Sequence, residues 1–201
     1  ITLNDPVRIE QEVASFRASG GSLLVDCQPG GAGRDSRRLR QLSAATGVHV
    51  TATTGFHQRK YYPSDDWLWN RASVEDACAL FVDELTVGTQ ESRQTTEGPP
   101  IRAAVLKVGY EGTFVGRECV LMEAVAEASR QTGAAVLFHT EQGRNVEALI
   151  PYFERLGVPA ARLYICHVDK RPDLGLHREL AQAGALLGYE HRDFLGRGLQ
   201  L

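Results

Sequence analysis

Lys107, His139 and His167 carry reactive or metal-binding side chains, and they have the same position relative to three apolar runs of the sequence. Each lies near the downstream end of a short apolar run, in the segments AAVLKV, AAVLFHT and LYICHVD. The intervals between them, 32 and 28 residues, each correspond to about one strand–helix unit. Because the carboxyl ends of the strands of a (β/α)8 barrel converge on one face, these side chains are expected to meet there. Two imidazoles and a lysine in one place indicate a metal site, and therefore a hydrolase.

The chemistry of Lys107 has two interpretations. A lysine within an apolar run is costly unless it is paired or neutral. Burial lowers the pKa of an amine, and a neutral amine can react with carbon dioxide to give a carbamate, an anion able to bridge two cations. The alternative is a lysine paired to a carboxylate at the barrel mouth, and the spacing alone does not decide between them. His139 and His167 suit zinc through one neutral ring nitrogen each, although a single histidine is more often a hydrogen-bonded core residue.

A long polar and aromatic loop at residues 55–70 follows the second predicted strand of the chain. His57, Tyr61 and Trp67 lie on it, and Tyr110 follows shortly after the lysine. Pockets are commonly lined by aromatic side chains, so these four residues are predicted to wall a substrate pocket. Packing of a long loop explains the same residues equally well.

Other positions carry weaker expectations. Asp169 would share a side of an extended strand with the histidine two residues before it, and could orient a metal ligand or form a surface salt bridge. Cys166 would point the other way, into the core. His177 falls on a predicted helix and is expected to be solvated, and Arg34 is expected to form a structural loop pair with Asp35.

Apolar runs alternate with helical segments along the whole chain, which predicts a parallel α/β sheet. An open doubly wound sheet is one option, but the loop QPGGAG after the first run does not satisfy GxGxxG. A barrel fits if two of its strands lie outside this sequence. The predicted strands are 22–27, 48–54, 102–108, 135–139, 162–167 and 185–189, and the predicted helices are 10–19, 36–46, 73–86, 118–131, 145–156 and 173–183.

The composition of the chain limits the classes of protein to which it can belong. The chain has 201 residues, a formal net charge of −3 and 43% hydrophobic residues, which suits a single domain over residues 1–201. No basic surface for nucleic acid and no apolar stretch long enough for a membrane span is present. The four cysteines show no CxxC pairing, so free thiols and a cytoplasmic location are expected.

Six segments together carry a resemblance to a known family. They are VDCQPGGAGRD (25–35), TGFHQRKYYP (54–63), SVEDACALFVDELTVG (73–88), LKVG (106–109), FHT (138–140) and CHVD (166–169). In order and approximate spacing they resemble the phosphotriesterase-like family of the amidohydrolase superfamily, whose first segment has the pattern VD-x-T-x-x-G-x-GRD. The resemblance covers nearly the whole chain.

The resemblance implies an α/β (β/α)8 TIM barrel, of which this chain would supply roughly strands two to seven. It also implies two divalent metal ions, with zinc the expected metal. A carboxylated lysine at the position of Lys107 would bridge them, and His139 and His167 would hold the more exposed ion. The implied reaction is attack of a metal-bridging hydroxide on a small-molecule ester, lactone or phosphotriester. Neither a nucleic-acid nor a membrane partner is implied, and a homodimer is possible.

The chain departs from the family pattern at the more buried metal. The HxH pair of the first barrel strand and the aspartate of the eighth are missing from this sequence. We therefore expect a natural protein longer at both ends, with an HxH-bearing strand before Ile1 and an aspartate-bearing strand after Leu201. The alternative is a non-catalytic, barrel-derived binding or structural protein. A metal-dependent nuclease fits less well, because an acidic residue commonly replaces the bridging lysine there.

Overall fold

The computed structural model describes residues 5–94 and 98–189. Within them, six parallel strands form one sheet in sequential order, curled into half of a barrel. The predicted α/β class and partial barrel are thereby confirmed. The strands are β1 (Leu23–Val25), β2 (His49–Gly55), β3 (Ala103–Tyr110), β4 (Val136–Thr140), β5 (Leu163–Ile165) and β6 (Leu186–Leu187).

Helices follow the strands and cover the outer side of the sheet. None of the described helices combines the length and apolarity needed to span a bilayer. The helices are α1 (Pro6–Ala18), α2 (Ser36–Thr46), α3 (Trp67–Asn70), α4 (Val74–Thr86), α5 (Gln90–Arg93), α6 (Gly116–Thr132), α7 (Leu149–Arg155) and α8 (Leu174–Gln182). Four short 3-10 turns lie at Arg59–Tyr61, Val146–Ala148, Ala160–Arg162 and Val168–Lys170.

Local sequence signals set the helix ends. Ser73 and Asp76 form a reciprocal capping box at the start of α4, which satisfies two backbone donors at once. Asp35 caps α2 through its side chain, and Gly47 ends that helix with φ 69°, a backbone conformation in which glycine has no steric cost. No helix was predicted between residues 86 and 102, but the structure has the short helix α5 there.

The core lies between the sheet and the helices. Alternate residues of β3 point outward into it, and Leu106, Val108 and Tyr110 are completely buried there. Lys107 therefore faces the concave side of the sheet. Leu23 of β1 and Leu186 of β6 lie on the two edge strands of the described sheet and are 53% and 65% exposed. Large buried side chains from the other elements include Phe81, Leu121, Met122, Phe138, Leu149, Phe153, Leu163 and Ile165.

A buried ion network holds the loop between β1 and α2 against the sheet. The Arg34 guanidinium donates twice to Glu84, twice to Glu91, and once to the carbonyl of Thr53. All five guanidinium hydrogens are therefore used. Burial opposes ionisation of Glu91, but the hydrogen bonds and charge of Arg34 outweigh it and lower the pKa of that carboxyl to about 2. The expectation that Arg34 pairs with Asp35 is wrong, because Asp35 is used as the cap of α2.

Replacing Arg34 with methionine should reduce the free energy of unfolding by about 3–5 kcal/mol, because the buried Glu84 would lose its charge partner. Urea unfolding of the intact protein measures the loss. The control is Arg38→Met, which removes an exposed ion pair with Asp35 of 3.3 Å and should cost about 0–1 kcal/mol. Equal losses in the two variants would contradict this view of the network.

Candidate metal centre

The structure brings the predicted residues together on three adjacent strands. Lys107 lies in β3 opposite Leu137, and His139 lies two residues further along β4. His167 follows the end of β5, and its Nε2 lies 2.9 Å from Nδ1 of His139. The positive charge of Lys107 contributes to lowering the pKa of His139, so the amine is close to the imidazole pair.

The backbone at His167 explains how two consecutive side chains after β5, Cys166 and His167, reach the centre. His167 has φ 65°, a left-handed conformation that is uncommon outside glycine. This breaks the alternation of an extended strand, and the half-buried Cys166 lies near enough to Lys107 to affect its pKa. The expectation that Cys166 belongs to the core is therefore wrong. The extended geometry assumed for Asp169 is also absent, because Asp169 lies in the 3-10 turn Val168–Lys170.

Lys107 is a buried amine, only 3% exposed. Among residues 5–94 and 98–189, its amine makes no hydrogen bond or ion pair, so pairing with a described carboxylate does not account for it. Burial lowers its pKa, and the nearby Cys27, Cys166 and Asp26 only partly oppose that effect. Burial thus disfavours the charged form of the Lys107 amine, and no described carboxylate pairs with it.

Two imidazoles beside Lys107, those of His139 and His57, have pKa values below the ordinary value for histidine. Burial, followed by the charges of Lys107 and His167, lowers the pKa of His139 to about 4. Burial likewise lowers the pKa of His57 to about 4, and its ring centroid lies 5.0 Å from that of His139. Neutral imidazole is the form that binds metals. At neutral pH, His139 and His57 are therefore in the protonation state that metal binding requires.

Of the four predicted pocket residues, two lie near His139 and two lie elsewhere. His57 adjoins His139, and Tyr61 lies against His57 with 4.5 Å between ring centroids. Tyr110 does not line the mouth, because it points outward from β3, is completely buried, and bonds through its hydroxyl to Asn145. Trp67 begins α3 at the surface and is 44% exposed.

Two residues at the centre were not predicted. Gln58 is 1% exposed and donates from Nε2 to Oε2 of Glu141 across 3.1 Å, while its own Oε1 is buried without a partner in the described residues. The same Glu141 oxygen lies 3.9 Å from Nε2 of His139. The hydrogen bond from Gln58 is the main cause that lowers the pKa of Glu141. The available signal was the position of Glu141, two residues after His139.

Gly109 permits this arrangement. A Cβ at Gly109 would lie 2.5 Å from the backbone nitrogen of Gln58 and 2.7 Å from the carbonyl carbon of His57. Only glycine lets the loop after β2 cross β3 so closely.

The donor set is consistent with divalent metal ions. His139 and His167 are adjacent, the pKa of His139 is lowered to about 4, and the buried Lys107 amine has no hydrogen-bond partner among the described residues. Within the described part of the chain, no group of three or more histidine, cysteine, aspartate and glutamate side chains is arranged to hold a metal. The two imidazoles and the lysine therefore make an incomplete ligand set on their own.

A family model for the phosphotriesterase family matches residues 4–198. The chain belongs to the phosphotriesterase family. It is 29% identical over 187 residues to an N-acetyltaurine hydrolase from Bos taurus, covering 90% of this chain and 50% of that protein. It is 27% identical over 194 residues to a phospho-furanose lactonase from Mycoplasmopsis synoviae, covering 91% of this chain and 54% of that protein.

The fold agrees with solved structures. A lactonase from Listeria monocytogenes superposes with a TM-score of 0.84 at 24% identity, over 96% of this chain and 62% of that one. At this identity the likeness concerns the fold alone. The family inferred from the six sequence segments is confirmed, and the chain spans about half the length of the curated relatives it matches.

A buried carboxyl behind the lysine strand provides a test of this part of the structure. Glu118 accepts a hydrogen bond of 3.0 Å from the backbone of Glu111, which directly follows β3. Burial raises the pKa of Glu118 to about 7, although that hydrogen bond opposes the shift. Between pH 4.5 and 7 the folded protein thus holds a proton that the unfolded chain releases, and its stability falls as the pH rises.

Glu118→Gln keeps the acceptor oxygen and removes the charge, so it should stabilise the protein by about 1–3 kcal/mol at pH 8 and have little effect near pH 4. Thermal or urea unfolding at both pH values measures the difference. The control is Glu75→Gln at an exposed carboxyl in the first turn of α4, which should not stabilise the protein at pH 8, because a negative charge is favourable at the start of a helix. A Glu118→Gln variant no more stable than wild type at pH 8 would refute the prediction.

Proposed function

We propose that the protein is a metal-dependent hydrolase that cleaves an ester-type bond in a small molecule, either a lactone, a carboxylic ester or a phosphotriester. The observation that carries the proposal is the buried Lys107 amine, without a partner among the described residues, beside the His139–His167 pair. Relatives named as a hydrolase of N-acetyltaurine and as a lactonase support hydrolysis, and the former adds an amide to the substrates to be tested.

Three residues of this chain would hold the metal. Lys107, converted to its carbamate, would supply an anionic bridge between two cations, and His139 and His167 would each supply a ring nitrogen. Zinc is the proposed metal, because it accepts nitrogen and oxygen ligands without a strict geometric demand. When bound, two such cations would supply Lewis acidity and make water a stronger acid.

The surrounding residues would orient the substrate and the ligands. The Glu141 carboxylate, held by Gln58 and 3.9 Å from His139, is positioned to restrain that imidazole and to accept a hydrogen bond from a polar substrate. His57 and Tyr61 form a ring pair on the same side of the centre. They would wall the pocket and exclude water from one face of a bound ester.

A second candidate is a binding or structural protein derived from the barrel. It is favoured by the lack, in residues 5–94 and 98–189, of a cluster of three ligating His, Cys, Asp or Glu side chains. Elemental analysis of the purified natural protein distinguishes the two. About two divalent cations per chain, with turnover of a lactone, ester, amide or phosphotriester in a substrate panel, supports the hydrolase. A protein free of metal and inactive on the whole panel supports the binding protein.

Lys107→Ala should lower the metal content from about two cations per chain to at most about one, because the bridging ligand is lost. Hydrolysis should fall to the background rate, and thermal stability should fall if metal supports the fold. Intact mass of the metal-loaded wild type should show one added carboxyl group, which the variant lacks.

The control is Lys60→Ala, an exposed lysine near the same imidazoles, which should keep its metal. A wild-type protein with two bound metals and an unmodified Lys107 would contradict the bridging role.

A further inference from the structure

His177 is a buried residue with every ring nitrogen engaged. It lies in α8, is only 5% exposed, and its Nε2 is 2.9 Å from the carbonyl oxygens of both Val168 and Arg171. Its Nδ1 is 3.0 Å from the hydroxyl of Tyr189. The expectation that His177 is solvated is therefore wrong.

These contacts determine the role of each ring nitrogen. A carbonyl oxygen only accepts hydrogen bonds, so Nε2 of His177 must carry a hydrogen that it shares between Val168 and Arg171. The Tyr189 hydroxyl contacts the other nitrogen, and its ring packs against the imidazole at 80° with 5.5 Å between centroids. The imidazole is thus fixed in both orientation and protonation at Nε2.

The two carbonyls belong to one turn, which directly follows His167. Val168 begins the 3-10 turn, and Arg171 directly follows its last residue, Lys170. The single N–H of His177 therefore bonds to carbonyls at both ends of the turn. His167 immediately before has φ 65°, and a left-handed conformation in a bulky residue persists only where its surroundings hold it. On the other side, the Thr140 hydroxyl donates to the Cys166 carbonyl across 2.7 Å.

We propose that His177 is a positioning residue for His167, which clamps the turn 168–171 through its Nε2–H so that the left-handed backbone aims the His167 imidazole at His139. This inference rests on the proposed function, since His167 is taken as a metal ligand. It assigns His177 no contact with the substrate or the metal.

His177→Phe tests the clamp, because phenylalanine fills the ring volume but cannot donate a hydrogen bond. Metal affinity, measured by competition of the intact protein with a chromogenic chelator, should fall about tenfold, which is the lower end of the usual effect when a residue that orients a metal ligand is lost. The amides of Lys170 and Arg171, which bond to His167 and Val168, should exchange their hydrogen at least about tenfold faster, because the turn opens more often.

Two further variants separate positioning from general stability. His177→Gln places an amide N–H near the Nε2 position, and it should recover most of the affinity and the exchange protection. Phe81→Leu destabilises the core at a completely buried residue of α4, a helix that packs against α6, β2 and β3. At a temperature where both variants are folded, it should leave the affinity and the two amides unchanged. A His177→Phe variant that keeps wild-type affinity and slow exchange overturns the proposal.

The outcomes also separate this inference from the proposed function. A wild-type protein that binds no metal refutes the hydrolase, and hydrogen exchange at Lys170 and Arg171 then still decides whether His177 holds the turn. A wild type that binds metal and hydrolyses substrate, with both properties and the exchange unchanged in His177→Phe, refutes the positioning role alone.

Discussion

The burial of the Lys107 amine is the constraint on which the rest of the centre depends. A charged ammonium on the concave side of the sheet would be costly without a partner, and no described carboxylate pairs with it. The same charge would lie close to His139 and His57, whose pKa values it helps to lower. Burial therefore disfavours the charged form of the amine and of both imidazoles, and neutral imidazole is the form that binds metals.

Strand pairing determines which residues of the centre lie side by side, and the loops determine the directions of their side chains. Parallel pairing puts Gly109 opposite His139. The absence of a side chain at Gly109 lets the loop after β2 bring His57 and Gln58 beside the imidazole. At the end of β5 the chain instead turns into a left-handed conformation at His167. Regular strand geometry alone would have sent successive side chains to opposite sides, so the two irregular positions are what concentrate polar groups at one place.

Sequence predicts those features that depend on local chemistry. The capping box at Ser73 and the Asp35 cap follow from residue type and spacing, and the structure has both. The position of Lys107 followed from its apolar run. The roles of Arg34 and His177 could not be predicted, because their partners, Glu84 and the turn after His167 among them, are brought close only by the folded chain. Tyr110 was misplaced because β3 continues for two residues beyond its predicted end, which keeps that side chain in the alternating pattern of the core.

The charge balance of the centre argues for a cation rather than an anion as its natural occupant. Carboxyls that act on groups of the centre include Asp26, whose pKa is raised by burial, and Glu141, whose pKa is lowered by the hydrogen bond from Gln58. The charges of Arg34 and Lys107 partly oppose the effect of burial on Asp26, and those of Lys60 and Arg144 help to lower the pKa of Glu141. Under the proposed function, a divalent ion would add positive charge beside these carboxyls and would favour the ionised form of Asp26. Metal binding would then also stabilise the fold, because the ion would bind the folded chain in preference to the unfolded one.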